Sequence, residues 1–179
     1  MTRPTRTGGP VDLEGGWFDA GDFIKFTDTT AYADALLLVA RRSLGVAAPA
    51  GLDREIRFGL DWLRKACRPA QRTMLIQVGI GSGNQDGTFL GDHDAWRLPE
   101  VDDELQGDEN RYLRNRPAFR ANAPGAPLAP NLAGRVAAAF ALAVQADAVT
   151  APAERAPSWR RPPTSTARPR RRASGRTTS

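Results

Sequence analysis

A long glycine-rich stretch, residues 68–130, interrupts a chain whose other apolar residues repeat mostly at helical spacing. The glycines in its first part are Gly79, Gly81, Gly83, Gly87 and Gly91. Few apolar positions in this stretch repeat at the period of a helix or a strand. Compact domains seldom keep irregular segments of this length unless the segment has a function. The chain is therefore predicted to be a helical protein with long functional loops.

Three segments carry the helical repeat, namely residues 29–44, 53–67 and 131–149. Their predicted apolar faces are Tyr32, Leu36, Val39 and Ser43 with Ala35 and Ala40, then Ile56, Leu60 and Leu63, then Leu132, Val136, Phe140, Ala143 and Val144. Asp53 is a natural N-cap for the second helix, and Pro130 suits the start of the third. Trp62 and the single cysteine, Cys67, are expected to be buried on the second helix.

Residues 15–26 read GGWFDAGDFIKF and place Asp19 and Asp22 three positions apart among aromatic residues. Carboxylates can move protons in the cleavage of a sugar chain, and such sites commonly include a pair of them. The glycines let the backbone turn sharply and approach a ligand closely. A polar turn, in which each Asp caps its own backbone, is the alternative for an isolated pair of this kind.

The twelve-residue string resembles the catalytic-base segment of glycoside hydrolase family 9, the cellulases and endoglucanases once called family E. Further blocks follow in the order of that family, at residues 77–81 and 91–100, and then at 116–120, 124–125 and 129–140. Together the blocks cover residues 13–148. The resemblance implies an all-α (α/α)6 barrel of six helical hairpins, present here as an incomplete barrel. Residues 1–150 are then expected to be part of a catalytic domain.

The resemblance also implies hydrolysis of β-1,4-glucosidic bonds with inversion, by an Asp base and a Glu acid. Asp22 matches the base, and Asp19 matches the carboxylate that helps to hold the attacking water. No segment of the chain matches the family's acid, and Glu100 and Glu104 lie in a different motif. The chain is therefore expected to be a truncated, inactive member. A non-catalytic glucan-binding or vestigial fragment is the alternative.

Four residues are expected to bind substrate by the same resemblance, namely Trp17, His93, Trp96 and Arg97. A structural role is the alternative for His93, the only histidine, and a place in the core is the alternative for Trp96. No metal site is predicted, because the adjacent residues 92–94 are poorly placed to converge on one ion. No cofactor is predicted either, since no Lys-Ser/Thr pair follows the glycines at 79–83.

The last segment, residues 151–179, differs from the rest in composition. It holds eight arginines and one acid, so it carries a net charge of +7 while residues 1–150 carry −2. Its prolines and arginines surround one large apolar residue, Trp159, and a disordered tail is predicted. The mixture is also typical of GC-rich DNA translated in a shifted frame. Loose electrostatic binding of nucleic acid is expected to exceed any specific binding.

The predicted partner is a β-glucan polysaccharide or cello-oligosaccharide, with no specific nucleic acid and no membrane. Secretion follows from the family resemblance, although residues 1–16 contain no apolar segment of the kind found in a signal peptide. The sequence does not indicate an oligomeric state.

Overall fold

The computed structural model describes residues 5–150, with the side chains of residues 148–150 excepted. The helices of this part are α1 (Thr27–Leu44), α2 (Leu52–Ala66), the short α3 (Pro99–Asp103) and α4 (Pro130–Thr150). The strands are β1 (Thr5–Arg6), β2 (Lys25–Phe26), β3 (Cys67–Arg68), β4 (Thr73–Val78) and β5 (Ala118–Arg120). The tail predicted to be disordered, residues 151–179, lies outside the described residues.

The three long helices of the described part form one layer, in which α1 packs against both α2 and α4. The prediction for α2 is confirmed, because Ile56, Leu60 and Leu63 are all buried, as is Trp62. The indole Nε1–H of Trp62 donates to the carbonyl of Leu13 at 3.1 Å, which joins the N-terminal segment to the helices. No helix of the described residues is long and apolar enough to cross a membrane.

The apolar face predicted for α1 is wrong. Tyr32, Leu36 and Val39 are exposed, whereas the buried side chains of this helix are Thr27, Thr30, Ala31, Asp34 and Leu38. Apolar residues occur on more than one side of α1, so periodicity alone does not choose the buried side. The buried face is rich in small residues, which allow close approach of the neighbouring helices.

Two predictions at the ends of α2 are also wrong. The helix begins at Leu52 with Gly51 as its N-cap, so no side chain caps it. Asp53 instead accepts a hydrogen bond from Arg41 Nε of α1 at 2.7 Å. Cys67 lies just beyond the helix in β3 and is only partly buried. Its partial burial raises the pKa of the thiol.

An antiparallel sheet, to which residues 68–130 contribute β4 and β5, was not predicted, so an all-α description is incomplete. The strand order is β1-β5-β4-β2, and β3 pairs with β4 as well. Only β4 is longer than three residues, and its run TMLIQV has no alternation of apolar and polar residues. The pairing of Lys25 with Val78 brings the end of the 15–26 motif beside Gly79. The sheet thus brings together two loops that are distant in sequence.

Candidate active site

Asp22 lies in a tight turn immediately before β2. Its Oδ1 accepts the backbone N–H of Ile24 at 3.0 Å, and the N–H of Asp19 donates to the carbonyl of Ile24 at 2.9 Å. The Asp22 side chain is only 10% exposed, whereas Asp19 is exposed. The alternative of a polar turn therefore holds for one oxygen of Asp22, Oδ1, which binds the nearby backbone. The second oxygen is available for another partner.

That partner is His93, which lies on a 3₁₀ turn at residues 92–94. His93 Nε2 lies 2.8 Å from Asp22 Oδ2, and its side chain is 52% exposed. If Asp22 is ionised, Nε2 must carry the proton in order to donate to it. Asp94 Oδ2 holds this turn by accepting the N–H groups of Gly83 at 2.8 Å and Gly91 at 2.7 Å.

A second hydrogen bond joins the same two loops. Asp92 Oδ2 accepts the backbone N–H of Phe23 at 2.8 Å. The residue after Asp22 is thus bonded to the residue before His93. Two adjacent contacts of this kind fix the orientation of the loops as well as their separation.

Buried ion pairs lie behind this junction. Arg116 Nη2 donates to Asp92 Oδ1 at 2.6 Å and to Asp102 Oδ2 at 2.9 Å. Arg97 Nε donates to Asp102 Oδ1 at 2.8 Å. The carboxyl side chains of Asp92 and Asp102 are 5% and 2% exposed. Buried carboxylates persist when they are paired in this way.

Aromatic rings cover the outer side of the junction. The Phe23 ring lies 5.3 Å from that of Phe18, edge to face, and 6.4 Å from that of Trp96. Phe18 is 47% and Trp96 is 73% exposed, so the alternative that Trp96 belongs to the core is wrong. Exposed rings beside a carboxylate are suited to contact with a flat, hydroxyl-rich ligand.

The other residues predicted to bind substrate have protein partners. Arg97 is paired with Asp102, as described above, and is 30% exposed. Trp17 Nε1 donates to Glu55 Oε2 of α2 at 3.3 Å, and its ring lies 6.2 Å from that of Phe58. Trp17 thus packs toward the helical layer, while His93 and Trp96 lie at the loop junction. The substrate roles of these residues remain predictions.

Sequence reasoning missed the ion pairs of Arg116 with Asp92 and Asp102 and the central ring of Phe23. Asp92 and Arg116 lie within the blocks that carry the family resemblance, which was the signal available. Their pairing spans 24 positions, and no local period connects them. Within the described residues, no group of three or more His, Cys, Asp or Glu side chains could hold a metal ion.

Comparisons with known proteins place these features in context. The model of glycosyl hydrolase family 9 matches residues 2–154. Endoglucanase 20 of Oryza sativa subsp. japonica is 32% identical over 146 residues, which are 79% of this chain and 25% of that protein. Endoglucanase 14 of Arabidopsis thaliana is 31% identical over 136 residues, 72% of this chain and 24% of that protein. The chain spans about a quarter of the length of these relatives.

Proposed function

The chain belongs to glycosyl hydrolase family 9, and on that premise we propose that it carries the general-base half of a site for hydrolysis of β-1,4-glucosidic bonds in cellulose or a related glucan. One observation supports the proposal most directly. Asp22 Oδ2 and His93 Nε2 lie 2.8 Å apart, and Phe23, the residue after Asp22, contacts the exposed rings of Phe18 and Trp96. An ordered carboxylate next to such a surface can supply the general base for hydrolysis of a sugar chain.

Asp22 takes the proton from the attacking water in this proposal. Each carboxylate oxygen can accept two hydrogen bonds, so Asp22 keeps acceptor sites after binding Ile24 N–H and His93. Inverting hydrolases place the base and the acid on opposite faces of the sugar, with about 6.5–9.5 Å between the carboxyl groups. Asp19, three residues before Asp22 and exposed, helps to hold the same water.

Phe18, Phe23 and Trp96 form the proposed platform for the sugar rings. The guanidinium of Arg116 lies over the Phe23 ring, 5.0 Å from its centroid, so Phe23 connects the exposed rings to the buried ion pairs. His93 orients Asp22 and also contacts substrate. Trp17 and Arg97 are proposed to bind more distant parts of the glucan chain.

No described residue is assigned as the general acid. Glu100 and Glu104 lie in a motif other than the one that carries the acid in this family. Loss of acid catalysis costs a factor of about 10²–10⁴ in rate. We therefore propose that the 179-residue chain hydrolyses glucan poorly. Glucan binding without turnover is the second candidate function, and the exposure of Trp96 favours it.

The same premise extends to the architecture and the location of the protein. The helical layer is proposed to be part of an (α/α)6 barrel, with the loop junction at the end that carries the cleft. The protein is proposed to be secreted, as the family resemblance implies. Its proposed partner is a β-glucan or a cello-oligosaccharide. The proposed hydrolysis uses neither a metal nor a cofactor.

The decisive experiment measures binding and turnover separately. Cello-oligosaccharide binding is followed by calorimetry, and release of reducing ends from carboxymethyl cellulose is followed in parallel. We expect binding without useful turnover, and weaker binding in Trp96→Ala. Tyr32→Ala is the matched control, because it removes a 54% exposed ring from α1, away from the proposed site. If neither binding nor turnover occurs, both candidate functions fail. Robust turnover that is lost in Asp22→Asn would support the base and overturn the proposed lack of an acid.

A further inference from the structure

We propose that Arg116 is the positioning residue that aligns Asp22 with His93. This inference rests on the proposed function for its catalytic meaning, but its geometric content is independent of any substrate. Arg116 touches neither Asp22 nor His93 through a hydrogen bond in the described structure. It acts through Asp92, whose two carboxylate oxygens bind different parts of the site.

The first step runs from Arg116 to the loop that carries Asp22. Arg116 Nη2 holds Asp92 Oδ1 at 2.6 Å, and Asp92 Oδ2 holds the N–H of Phe23 at 2.8 Å. Because Oδ1 is fixed, the Asp92 carboxylate cannot rotate without breaking one of these bonds. The backbone beside Asp22 is therefore fixed by a guanidinium that lies behind it.

The second step runs to the loop that carries His93. Asp92 directly precedes His93 and is 5% exposed, so its anchored side chain limits movement of the histidine backbone. The Nη2 group also holds Asp102 Oδ2 at 2.9 Å, and Asp102 Oδ1 holds Arg97 at 2.8 Å. Arg97 follows Trp96, so the same ion-pair network reaches the exposed ring. One guanidinium thus connects three parts of the candidate site.

The backbone at Arg116 indicates that its position is constrained. Arg116 has φ +23° and Asn115 has φ +52°, a region that residues other than glycine seldom occupy. The N–H of Asn115 donates to Asp103 Oδ1 at 2.6 Å, which holds the segment in this form. Unfavourable backbone angles persist where surrounding contacts determine them. Here those contacts place the guanidinium between two buried carboxylates and above the Phe23 ring.

Lysine is a poor substitute for this arrangement. A guanidinium is planar, so Arg116 can lie over the Phe23 ring while its Nη2 donates to two carboxylates. An ammonium keeps the charge but lacks the planar face. Arg116→Lys should therefore restore part of the alignment that Arg116→Gln loses.

The only histidine of the chain provides a direct measurement of this alignment. We would label the full-length chain with ¹⁵N and ¹³C and record the ring signals of His93 without any ligand. Asp22→Asn supplies the reference for a disturbed contact. Arg41→Gln is the matched control, because Arg41 is a partly buried arginine with one carboxylate partner, Asp53, at 2.7 Å in the helical layer.

We expect the His93 ring signals of Arg116→Gln to move more than half of the way to those of Asp22→Asn. Arg116→Lys should lie between Arg116→Gln and the unmodified chain, and Arg41→Gln should leave the signals unchanged. Unmoved signals in a folded Arg116→Gln chain would overturn the proposal. If Arg116→Gln does not fold, Arg116→Lys and Asp102→Asn decide in the same way, because each disturbs the guanidinium without removing Asp92.

The same samples separate this proposal from the proposed function. Cello-oligosaccharide is added to the unmodified chain after the ligand-free spectra are recorded. If the His93 signals respond to Arg116 substitution but not to the oligosaccharide, the positioning role holds and the proposed function fails. If they respond to the oligosaccharide but not to Arg116 substitution, the proposed function holds and the positioning role fails.

Discussion

The helical layer and the loop junction of this protein are stabilised by different interactions. In the helical layer, apolar side chains such as Leu60, Leu63 and Val136 are removed from water along continuous helix faces. At the loop junction, hydrogen bonds and ion pairs cross between segments that are far apart in sequence, as in the contact of Asp22 with His93. The stabilisation from buried apolar surface depends on the area buried and little on the direction of each contact. The stabilisation from hydrogen bonds and ion pairs depends on the position of single atoms.

This difference predicts that the folding stability of the chain and the alignment of Asp22 with His93 depend on different residues. Removal of a large buried apolar group should destabilise the folded chain strongly, whereas displacement of a polar group at the junction should leave its stability nearly unchanged but misalign the site. Four substitutions test this separation, in order of their expected effect on the free energy of unfolding.

Trp62→Ala should have the largest effect, a loss of about 3–5 kcal/mol, because it removes the largest fully buried side chain of the described residues. Urea unfolding followed by circular dichroism measures the change. Phe58→Ala is the control on the same helix, since Phe58 is 43% exposed and its removal leaves a smaller cavity. Equal losses for the two substitutions would contradict the description of the helical layer.

Asp34 is the exception within the helical layer. It is 0% exposed, and neither of its carboxylate oxygens has a hydrogen-bond partner in the described structure. Burial raises the pKa of Asp34 from 3.8 to about 7. The folded chain therefore holds this proton more tightly than the unfolded chain. The resulting stabilisation is complete below about pH 4 and is lost as the pH rises through about 7.

Asp34→Asn should remove this pH dependence, since an amide carries no charge. The unmodified chain should lose about 2–4 kcal/mol relative to Asp34→Asn between pH 4 and pH 8. The measurement is the urea midpoint of both proteins at each pH. Because the difference between the proteins is compared, carboxylates elsewhere cancel. A constant difference across this range would show that Asp34 is already ionised or solvated in the folded chain.

Gly134→Ala should have a smaller effect of the opposite sign. Gly134 lies inside α4, and a Cβ at this position would meet nothing within 4 Å. Alanine should therefore stabilise the chain by about 0.5–1 kcal/mol, through the lower conformational entropy of the unfolded chain. Thermal unfolding at one protein concentration measures the gain. A loss of stability would mean that the surface of α4 at this point is occupied.

Gly81→Ala should change stability least and alignment most. A Cβ at Gly81 would lie 2.9 Å from Cε1 of the half-exposed His93 ring, which can move away into solvent. We expect the urea midpoint to remain nearly constant while the His93 ring signals shift toward those of Asp22→Asn. Gly21→Ala is the control, because a Cβ there meets nothing within 4 Å. Unchanged His93 signals in Gly81→Ala would break the proposed separation of stability from alignment.

The two regions also differ in how far the sequence predicts them. The spacing of Ile56, Leu60 and Leu63 predicts the buried face of α2, because one helical period connects neighbouring residues. The same rule fails for α1, where small residues such as Ala31 are buried and Leu36 is exposed. Periodicity locates a helix, but the neighbours of the helix decide which side is buried.

At the loop junction, the sequence predicts residue types better than their contacts. Asp22, His93 and Trp96 are identified by motif, and the structure brings them together around Phe23. The bond from Arg116 to Asp92 joins segments that are brought near each other by the pairing of β4 with β2 and β5. Those strands, apart from β4, are too short to leave a periodic signal. Contacts that depend on such a sheet cannot be derived from local spacing.

The contact between Gly16 and Trp62 has a consequence for the order in which mutations can accumulate. Gly16 has φ +68°, and a Cβ there would lie 2.5 Å from the Trp62 ring. Two separate penalties therefore oppose any side chain at position 16. A smaller residue at 62 removes the steric penalty only, and the left-handed backbone still costs about 1–2 kcal/mol. A variant that has lost Trp62 should therefore still favour glycine at position 16, until further substitutions change the backbone conformation of this loop.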